Sequence, residues 1–216
     1  GATHQRGREG HRDLHLVVDR FGDYLSVQIT TAGMEAVKGQ VIAVLEQLLS
    51  PSGILLRNDI PVRELEGLEQ YVTLASGDIP ESVRLGENGE IFETSLTEGQ
   101  KSGWFYDQAG NRERMRRYVR AGDSVLDICS YSGAWGVTAA LSGAAEVLCV
   151  DASQPALEQT ARNAALNSVQ EQVATLHGDA FEMLKKLAAD GRRYNMVILD
   201  PPAFIKRRRD AKEGEQ

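Results

Sequence analysis

Residues 195–204, N-M-V-I-L-D-P-P-A-F, predict the fold of the second half of the chain. The apolar run 196–199 has no polar alternation, which is typical of a strand buried on both faces of a parallel sheet. The strand must end at Asp200, because Pro201 and Pro202 have no N–H to donate to a neighbouring strand. We therefore expect a carboxylate, two stiff residues and an aromatic ring at the carboxyl edge of an α/β sheet, where such sheets bind ligands.

Four apolar runs from residue 123 onwards each end in an acid. The acids are Asp127, Asp151, Asp179 and Asp200, and the segments between the runs, residues 134–141, 154–167 and 180–189, have helical spacing. Alternating strands and helices predict right-handed crossovers and a parallel sheet. All strands of such a sheet end at the same edge, so we expect the four carboxylates to gather there.

The chain before this pattern predicts a separate small domain. Residues 1–13 form a polar tail, and residues 14–95 have the strand, strand, helix, strand, strand order of an α+β domain, with the helix predicted over residues 33–50. Its hairpin signals are Gly22 in R-F-G-D and Asn88-Gly89 in E-N-G-E.

Residues 96–122 connect this domain to the α/β domain of residues 123–216 through a loop with three adjacent aromatic residues and a helix from about residue 111. The residues of this helix predicted to face inward are Met115, Tyr118 and Val119. The residues predicted around them are Arg112, Arg114, Arg116, Arg117 and Arg120. The alternative is a linker followed by a solvated helix face.

The composition limits the possible partners and the cellular compartment. With a net charge of −7, any site for a polyanion has to be local. Cys129 and Cys149 lie in apolar runs, which indicates reduced, buried thiols of a cytosolic protein. No apolar run approaches the roughly 18 residues of a membrane span, the N-terminal residues are polar, and no Cys/His spacing resembles a metal site. We expect a cytoplasmic protein without a membrane span or a metal.

The first turn of the α/β domain, D-I-C-S-Y-S-G-A-W-G, has small residues at Gly133, Ala134 and Gly136 that would let a ligand approach the backbone. It lacks the G-x-G-x-x-G pattern and the P-loop lysine, which disfavours a pyrophosphate ligand. Asp151 follows Asp127 at about the 20-residue offset at which an acid binds ribose hydroxyls. The combination favours an adenosine without phosphate.

The segment Gly178-Asp179-Ala180-Phe181 follows the third strand of the pattern. We interpret it as a seat for adenine, with Asp179 accepting a hydrogen bond from the exocyclic amine and Phe181 packing on the ring. Packing of Phe181 in the core is the alternative.

The motifs D-I-C-S-Y-S-G-A-W-G, V-D-A-S, N-A-A-L-N, G-D-A-F and D-P-P-A-F together resemble those of class I S-adenosylmethionine-dependent methyltransferases. More closely, they resemble the family of 23S ribosomal RNA large-subunit methyltransferases that make 5-methylcytosine. E-G-Q-K-S-G-W-F-Y-D-Q-A-G-N-R is similar to the segment of that family that folds over the cofactor, and L-V-V-D-R-F-G-D to the start of its central domain. The resemblance covers nearly everything from residue 16 to the last residue.

The resemblance implies a Rossmann-like class I methyltransferase sheet, S-adenosyl-L-methionine as cofactor and ribosomal RNA as partner. The implied cofactor-binding residues are Lys101, Phe105, Asp127, Ser130, Tyr131, Gly133, Asp151, Ala152, Asp179, Ala180 and Asp200. The residues implied to face the methyl group and the target base are Asp200, Pro201, Pro202 and Phe204.

The densest basic run of the chain follows directly and consists of Lys206, Arg207, Arg208 and Arg209. RNA phosphates suit this run, and the Arg-rich helix could extend it into a local basic surface. A solvated tail is the alternative.

Three departures from the family qualify the resemblance. We expect no RNA-binding PUA domain before residue 14, where only a short polar tail stands, and only the N-terminal half of the sheet is expected before residue 216. Methylation of cytosine C5 needs a thiolate that attacks C6. Neither Cys129 nor Cys149 suits that role, so the nucleophile is expected beyond residue 216 and the chain by itself is expected to be inactive. The fourth strand would then be an exposed apolar edge, which predicts a homodimer through it.

Three other functions remain open from the sequence. An enzyme of the same fold could methylate a guanine nitrogen of ribosomal RNA, which needs no thiol. The chain could also be a non-catalytic module that binds adenosine or RNA. An NAD-dependent dehydrogenase is weaker, because the glycine fingerprint is absent.

Overall fold

The computed structural model describes residues 15–97 and 103–201, which form two compact units. The first unit comprises the described residues of Gly1–Glu81 and Ser95–Gly103, and the second those of Ser82–Thr94 and Trp104–Gln216. The hairpin before residue 95, which the sequence analysis assigns to the first domain, therefore groups with the second unit. The boundaries of the domains stay a prediction.

The first unit is a four-stranded sheet with helices between its second and third strands. Its elements are β1 (Leu16–Phe21), β2 (Tyr24–Ile29), α1 (Ala32–Ala36), α2 (Lys38–Leu49), β3 (Gly53–Arg57), a 3₁₀ helix (Pro61–Glu66) and β4 (Val72–Gly77). The strand order is β1-β2-β3-β4, and only the β2–β3 pair is parallel. Gly22, with φ of 61°, forms the predicted turn between β1 and β2.

The core of the first unit lies between this sheet and the helices. Its fully buried members are Leu25, Val27, Ile29, Ile54 and Leu56, and side chains of α1 and α2 pack against them. The sequence predicts one helix over residues 33–50, whereas the structure has two that meet at Val37. The strand β4, V-T-L-A-S-G, was not predicted, because its apolar and polar residues alternate over the first three positions only.

The second unit contains a two-stranded hairpin and the predicted parallel sheet. Its elements are β5 (Val83–Glu87), β6 (Glu90–Thr94), a 3₁₀ helix (Tyr106–Gln108), α3 (Ala109–Met115), a 3₁₀ helix (Arg116–Tyr118), β7 (Ser124–Ile128), α4 (Ala134–Leu141), β8 (Glu146–Asp151), α5 (Gln154–Leu166), β9 (Val173–His177), α6 (Ala180–Ala189) and β10 (Met196–Leu199). The sheet has the order β10-β7-β8-β9 with every pair parallel. The alternation of strands and helices predicted from the sequence is confirmed.

The order of these strands identifies the ligand-binding edge. The chain passes from β7 to β8 and β9 on one side and then returns to place β10 on the other side of β7. The strand order therefore reverses at the β7–β10 pair, and open α/β sheets bind ligands at the carboxyl ends of the strands at such a switch point.

The hairpin β5–β6 corrects the prediction for the Arg-rich helix. Its turn residues Asn88 and Gly89 have φ of 52° and 86°, as the Asn-Gly signal predicts. Its buried carboxylates Glu87 and Glu90 accept hydrogen bonds from Arg112 and Arg116. Because the hairpin supplies these buried partners, Arg112 is buried, with 2% of its surface exposed. The sequence predicts it among the arginines outside the inward-facing residues of the helix.

Two further expectations about burial are wrong. Tyr118, predicted to face inward, is 67% exposed. In β10 only Ile198 is buried, whereas Val197 and Leu199 are 56% and 60% exposed within the part of the chain that the structure describes, where β10 is an edge strand. The expected burial of this strand on both faces is therefore not seen. No helix among the described residues is long and apolar enough to span a membrane.

Candidate functional site at the carboxyl edge of the parallel sheet

The parallel sheet brings the four predicted acids to one edge. Asp127 lies near the end of β7, Asp151 is the last residue of β8, and Asp179 and Asp200 come just after the next two strands. Burial raises the pKa of the Cys129 thiol, and the negative charges of all four acids raise it further, so the thiol lies within their common electrostatic field. The edge therefore concentrates negative charge, and no lysine or arginine forms an ion pair with these acids among residues 15–97 and 103–201.

Asp127 is the most deeply buried of the four. It is 1% exposed, and its Oδ2 accepts a hydrogen bond from the Gly136 backbone N–H at 3.0 Å. Its Oδ1 is buried without a partner among the described residues. Burial raises the pKa of this carboxyl to about 8, and the charges of Asp151 and Asp200 add to the shift. The group has the environment of a carboxylate that lacks a positive partner.

The turn from β7 to α4 has a constrained backbone. Cys129, Tyr131 and Gly133 have φ of 60°, 49° and 77°, a left-handed conformation that is unfavourable for the two that are not glycine. The Tyr131 N–H donates to Asp151 Oδ2 at 2.8 Å. Such strain is found at ligand sites, where the surrounding structure holds the backbone in place.

The small residues of this turn fill a packing role that the sequence analysis did not foresee. A Cβ on Gly133 would lie 2.4 Å from Cγ2 of Thr160 on α5, and one on Gly136 would lie 2.4 Å from Sγ of Cys149 on β8. The missing side chains thus allow close packing of α4 and its turn on α5 and β8. Whether a ligand also approaches Gly133 stays a prediction.

Both oxygens of Asp151 are oriented by backbone groups. Oδ2 accepts from Tyr131 as described, and Oδ1 accepts from the Ser153 N–H at 2.9 Å. Each carboxylate oxygen can accept a second hydrogen bond, so the group can still bind two hydroxyls. The neighbouring Ala152 is exposed, and its carbonyl oxygen lies 3.0 Å from Nε2 of His177, to which the sequence analysis assigned no role.

Asp179 caps the helix α6. Its Oδ1 accepts from the backbone N–H groups of Phe181 and Glu182 at 2.9 and 3.2 Å, as N-cap residues do. Oδ2 takes no part in the cap. Ala180 is the first helical residue, and Phe181 is 52% exposed, which places its ring outside the core.

Asp200 has a partner that the sequence analysis did not single out. Its Oδ2 accepts a hydrogen bond from the indole Nε1 of Trp135 at 3.1 Å. The signal in the sequence that could have identified Trp135 is its position in the first turn of α4, two residues after Gly133 and directly before Gly136. Pro201, the last residue described, is partly buried.

Aromatic side chains flank the first turn. The rings of Phe105 and Tyr131 meet edge to face with centroids 5.8 Å apart, and the Phe105 carbonyl accepts from Arg112. Ser130 is buried at the turn. The remaining predicted residues, Lys101, Pro202, Phe204, Lys206, Arg207, Arg208 and Arg209, lie outside the described residues.

Neither described cysteine has the lowered pKa of an activated nucleophile. Both are free thiols. Burial raises the pKa of Cys149 well above its usual value and raises that of Cys129, and the neighbouring acids add to both shifts. A raised pKa leaves little thiolate near neutral pH, and the thiolate is the reactive form.

Sequence comparison finds relatives over most of the chain. A family model described as "Conserved hypothetical protein 95" matches residues 113–209. The chain is 36% identical over 191 residues to Ribosomal RNA large subunit methyltransferase I of Aliivibrio fischeri, in an alignment covering 88% of this chain and 48% of the relative. It is 34% identical over 193 residues to the protein of that name from Vibrio cholerae, with the same coverage. The chain thus spans about half the length of the curated relatives it matches.

Solved structures share the fold. A protein described as a SAM-dependent methyltransferase from Streptococcus mutans superposes with a TM-score of 0.76 at 22% identity, over 87% of this chain and 48% of that one. A structure described as a methyltransferase complexed with SAH gives 0.77 at 23% identity, over 90% and 50%. The tRNA m1G37 methyltransferase of M. jannaschii gives 0.68 at 19% identity, over 87% and 54%. These similarities confirm the Rossmann-like methyltransferase fold of the chain.

Proposed function

We propose that this chain carries the S-adenosyl-L-methionine-binding part of an RNA methyltransferase that acts on large-subunit ribosomal RNA. One observation carries the proposal: at the carboxyl edge of the parallel sheet, Asp151 at the end of β8 is oriented by two backbone N–H groups, and Asp127 on the neighbouring β7 is buried with no cation among the described residues. The names of the curated relatives support the same activity.

The chemistry of the cofactor matches the acids of this edge. Besides the methionine carboxylate, S-adenosylmethionine has a ribose diol, an adenine amine, an ammonium group and a sulfonium group, so it offers hydrogen-bond donors and positive charge and has no phosphate. Asp151 accepts from the ribose hydroxyls, Oδ2 of Asp179 accepts from the adenine amine, and Asp127 lies toward the methionine ammonium. Ser130, Tyr131, Gly133, Ala152, Ala180, Phe105 and Lys101 complete the proposed cofactor site.

The methylated atom is proposed to be C5 of cytosine. This reaction needs a thiolate, and the raised pKa values of Cys129 and Cys149 exclude both as good candidates. The nucleophile is therefore a cysteine of the enzyme outside the described residues. Asp200, Pro201, Pro202 and Phe204 face the base in this proposal, and Lys206, Arg207, Arg208 and Arg209 bind RNA phosphates.

Methylation of a guanine nitrogen is the second candidate. The tRNA m1G37 methyltransferase of M. jannaschii has the same fold, and attack by a ring nitrogen on the methyl group needs no thiol. Loss of methyl transfer on replacing the nucleophilic cysteine separates the two candidates. No transfer at all by the full product of the gene would instead indicate a binding module. A ribosomal RNA substrate would place the enzyme in the cytoplasm.

Self-association through β10 is also proposed. In the described part of the chain β10 is an edge strand on which Val197 and Leu199 are more than half exposed, and an exposed apolar edge favours pairing with a second copy. Light scattering that gives the mass of a single chain over a wide concentration range would rule this out.

The test of the proposed function is calorimetric titration of the chain with S-adenosylmethionine and S-adenosylhomocysteine. Asp151→Ala should weaken binding of both compounds by about 1.5–3 kcal/mol, which is about tenfold or more in affinity, because it removes a charged acceptor of hydroxyl hydrogen bonds. Asp190→Ala, at an exposed acid beyond the other end of α6, is the matched control and should leave affinity unchanged. A folded wild-type chain that binds neither compound would contradict the proposal for this chain.

A further inference from the structure

We infer that Trp135 is a positioning residue of the proposed reaction, because its indole N–H holds the Asp200 carboxylate in place at the base-facing end of the site. The inference rests on the proposed function and concerns one contact, the hydrogen bond from Trp135 Nε1 to Asp200 Oδ2 at 3.1 Å. It assigns to the indole the orientation of a carboxylate that is otherwise exposed to solvent.

The Trp135 indole packs against a buried cation, Arg112. The Arg112 guanidinium lies 5.8 Å from the Trp135 ring centroid and 5.2 Å from that of Trp104. The guanidinium is itself held by Glu87, through Nε–Oε1 and Nη2–Oε2 contacts of 2.5 and 2.7 Å, and by the Phe105 carbonyl at 2.9 Å. Arg112 is 2% exposed, so its position does not depend on solvent.

The backbone of Trp135 is fixed as well. It lies in the first turn of α4, which begins after Gly133 in a left-handed conformation packed on Thr160. The neighbouring Gly136 N–H donates to Asp127 at the base of the site. The indole therefore projects from a rigid helix start toward the end of β10, and a site on a rigid element is more accurately positioned than one on a loop.

The consequence is a defined role for each Asp200 oxygen. Oδ2 is occupied by the indole N–H, and Oδ1 has no hydrogen bond within residues 15–97 and 103–201. An oriented Oδ1 can accept from an N–H donor of a nucleobase, as a carboxylate does from the amino group of cytosine. Without the indole, the exposed carboxylate samples other rotamers and meets the base in the required geometry less often.

The contact can be observed directly, because the chain has two tryptophans and both indole N–H groups donate to carboxylates. Trp135 donates to Asp200, and Trp104 donates to Glu87 at 2.9 Å. A proton–nitrogen NMR spectrum of the chain should contain two indole signals. Asp200→Ala should move the signal that Trp135→Phe removes and leave the Trp104 signal in place. A Trp135 signal unaffected by Asp200→Ala would overturn the inference.

The functional test compares Trp135→Phe with wild type in the full product of the gene, using S-adenosylmethionine and in vitro transcribed large-subunit ribosomal RNA. Phenylalanine keeps an aromatic ring next to Arg112 and removes the N–H together with the five-membered ring of the indole, so the melting temperature serves as the readout for lost packing. We expect kcat to fall about tenfold, while the Kd for S-adenosylhomocysteine and the melting temperature stay close to wild type. In the Asp200→Ala background the same substitution should cause no further loss of kcat.

The other outcomes each contradict a different statement. Unchanged kcat in Trp135→Phe overturns the positioning role alone. A parallel loss of melting temperature and S-adenosylhomocysteine affinity indicates that the indole only joins α4 to the end of β10, which also overturns it. Absence of methyl transfer by the wild type overturns the proposed function and this inference with it.

Discussion

Two buried carboxylates in the second unit have opposite surroundings. Glu87 on the hairpin is 6% exposed and receives both a two-contact pairing from Arg112 and the indole N–H of Trp104. Asp127 on the parallel sheet is 1% exposed and receives one backbone N–H, from Gly136, with its second oxygen unpartnered in the described part of the chain.

The difference in hydrogen-bond partners distinguishes a residue that stabilises the fold from a residue that is a candidate for binding a ligand. A buried charge is costly unless a partner compensates it, so the Glu87 environment is one in which folding alone satisfies the group. The Asp127 environment leaves a cost that folding does not offset, and the raised pKa expresses that cost. We interpret such an unbalanced acid at a sheet edge as a candidate contact for a positively charged ligand.

The largest effect is expected from breaking the satisfied pair. Arg112→Ala leaves the Glu87 carboxylate buried without its cation and also removes the support behind Trp135. We expect the free energy of unfolding to fall by about 3–5 kcal/mol. Urea unfolding followed by circular dichroism measures this change.

The control for this substitution lies on the same helix. Arg114 is exposed, so Arg114→Ala should change the free energy of unfolding by no more than about 0.5 kcal/mol. A double variant, Glu87→Gln with Arg112→Met, should recover part of the loss, because no buried charge remains. Equal effects of Arg112→Ala and Arg114→Ala would mean that the buried pair contributes nothing.

A smaller and opposite effect is expected from neutralising Asp127. Its pKa of about 8 in the folded chain lies above the ordinary value of 3.8, so the folded chain binds the proton more tightly than the unfolded chain. The stability from this proton is therefore fully present below about pH 4 and is lost as pH rises through 8. Asp127→Asn should remove this dependence and exceed wild type by about 1–3 kcal/mol at pH 8.5.

The measurement is a set of urea unfolding curves for both proteins from pH 4 to 8.5. Asp190→Asn, at an exposed acid, is the control and should follow the wild-type pH dependence. Parallel curves for wild type and Asp127→Asn would show that Asp127 is compensated in solution, and the contrast with Glu87 would then disappear.

The sequence predicted the unsatisfied acid better than the satisfied one. Asp127 ends an apolar run, and the register of runs and helices determines which edge of the sheet it reaches, so a local pattern was sufficient. Arg112, the partner of Glu87, is 25 residues away along the chain. It lies on a helix with several arginines that look alike in the sequence. Nothing local distinguishes the buried Arg112 from the exposed Arg114, because the distinction arises only from tertiary packing.

The same limit explains Trp135 and the two glycines of α4. Their positions in the motif were visible in the sequence, but the Trp135–Asp200 contact joins residues 65 positions apart. The packing of Gly133 on Thr160 depends on where α5 lies against the first turn of α4. The Asn88-Gly89 turn, in contrast, was predicted because its conformation is determined by those two residues alone. Local backbone chemistry was thus predictable from the sequence, whereas side-chain partners across elements were not.

The contrast also predicts how the proposed cofactor binds. If the ligand ammonium lies beside Asp127, the complex needs the ionised carboxylate, so binding releases a proton below pH 8. The affinity for S-adenosylhomocysteine should fall by up to about tenfold for each pH unit below 8, which is about 1.4 kcal/mol per unit. Calorimetry from pH 6 to 8 measures the slope, and Asp127→Asn should bind more weakly at pH 8 and show little slope. A wild-type affinity independent of pH would contradict the role of Asp127.

The smallest effect tests how fully the hairpin satisfies its second buried acid. Glu90 is 4% exposed, and burial raises its pKa even though Oε1 pairs with Arg116 at 2.5 Å and Oε2 accepts from Thr138 Oγ1 at 2.6 Å. Thr138→Val keeps the shape and removes one donor, so the free energy of unfolding should fall by about 0.5–1.5 kcal/mol. Thr138→Ser keeps the donor and should lose less. If both variants lose the same amount, the loss reflects packing, and Glu90 depends on Arg116 alone; if only the valine variant loses stability, Glu90 is satisfied by two partners and belongs with Glu87 rather than with Asp127.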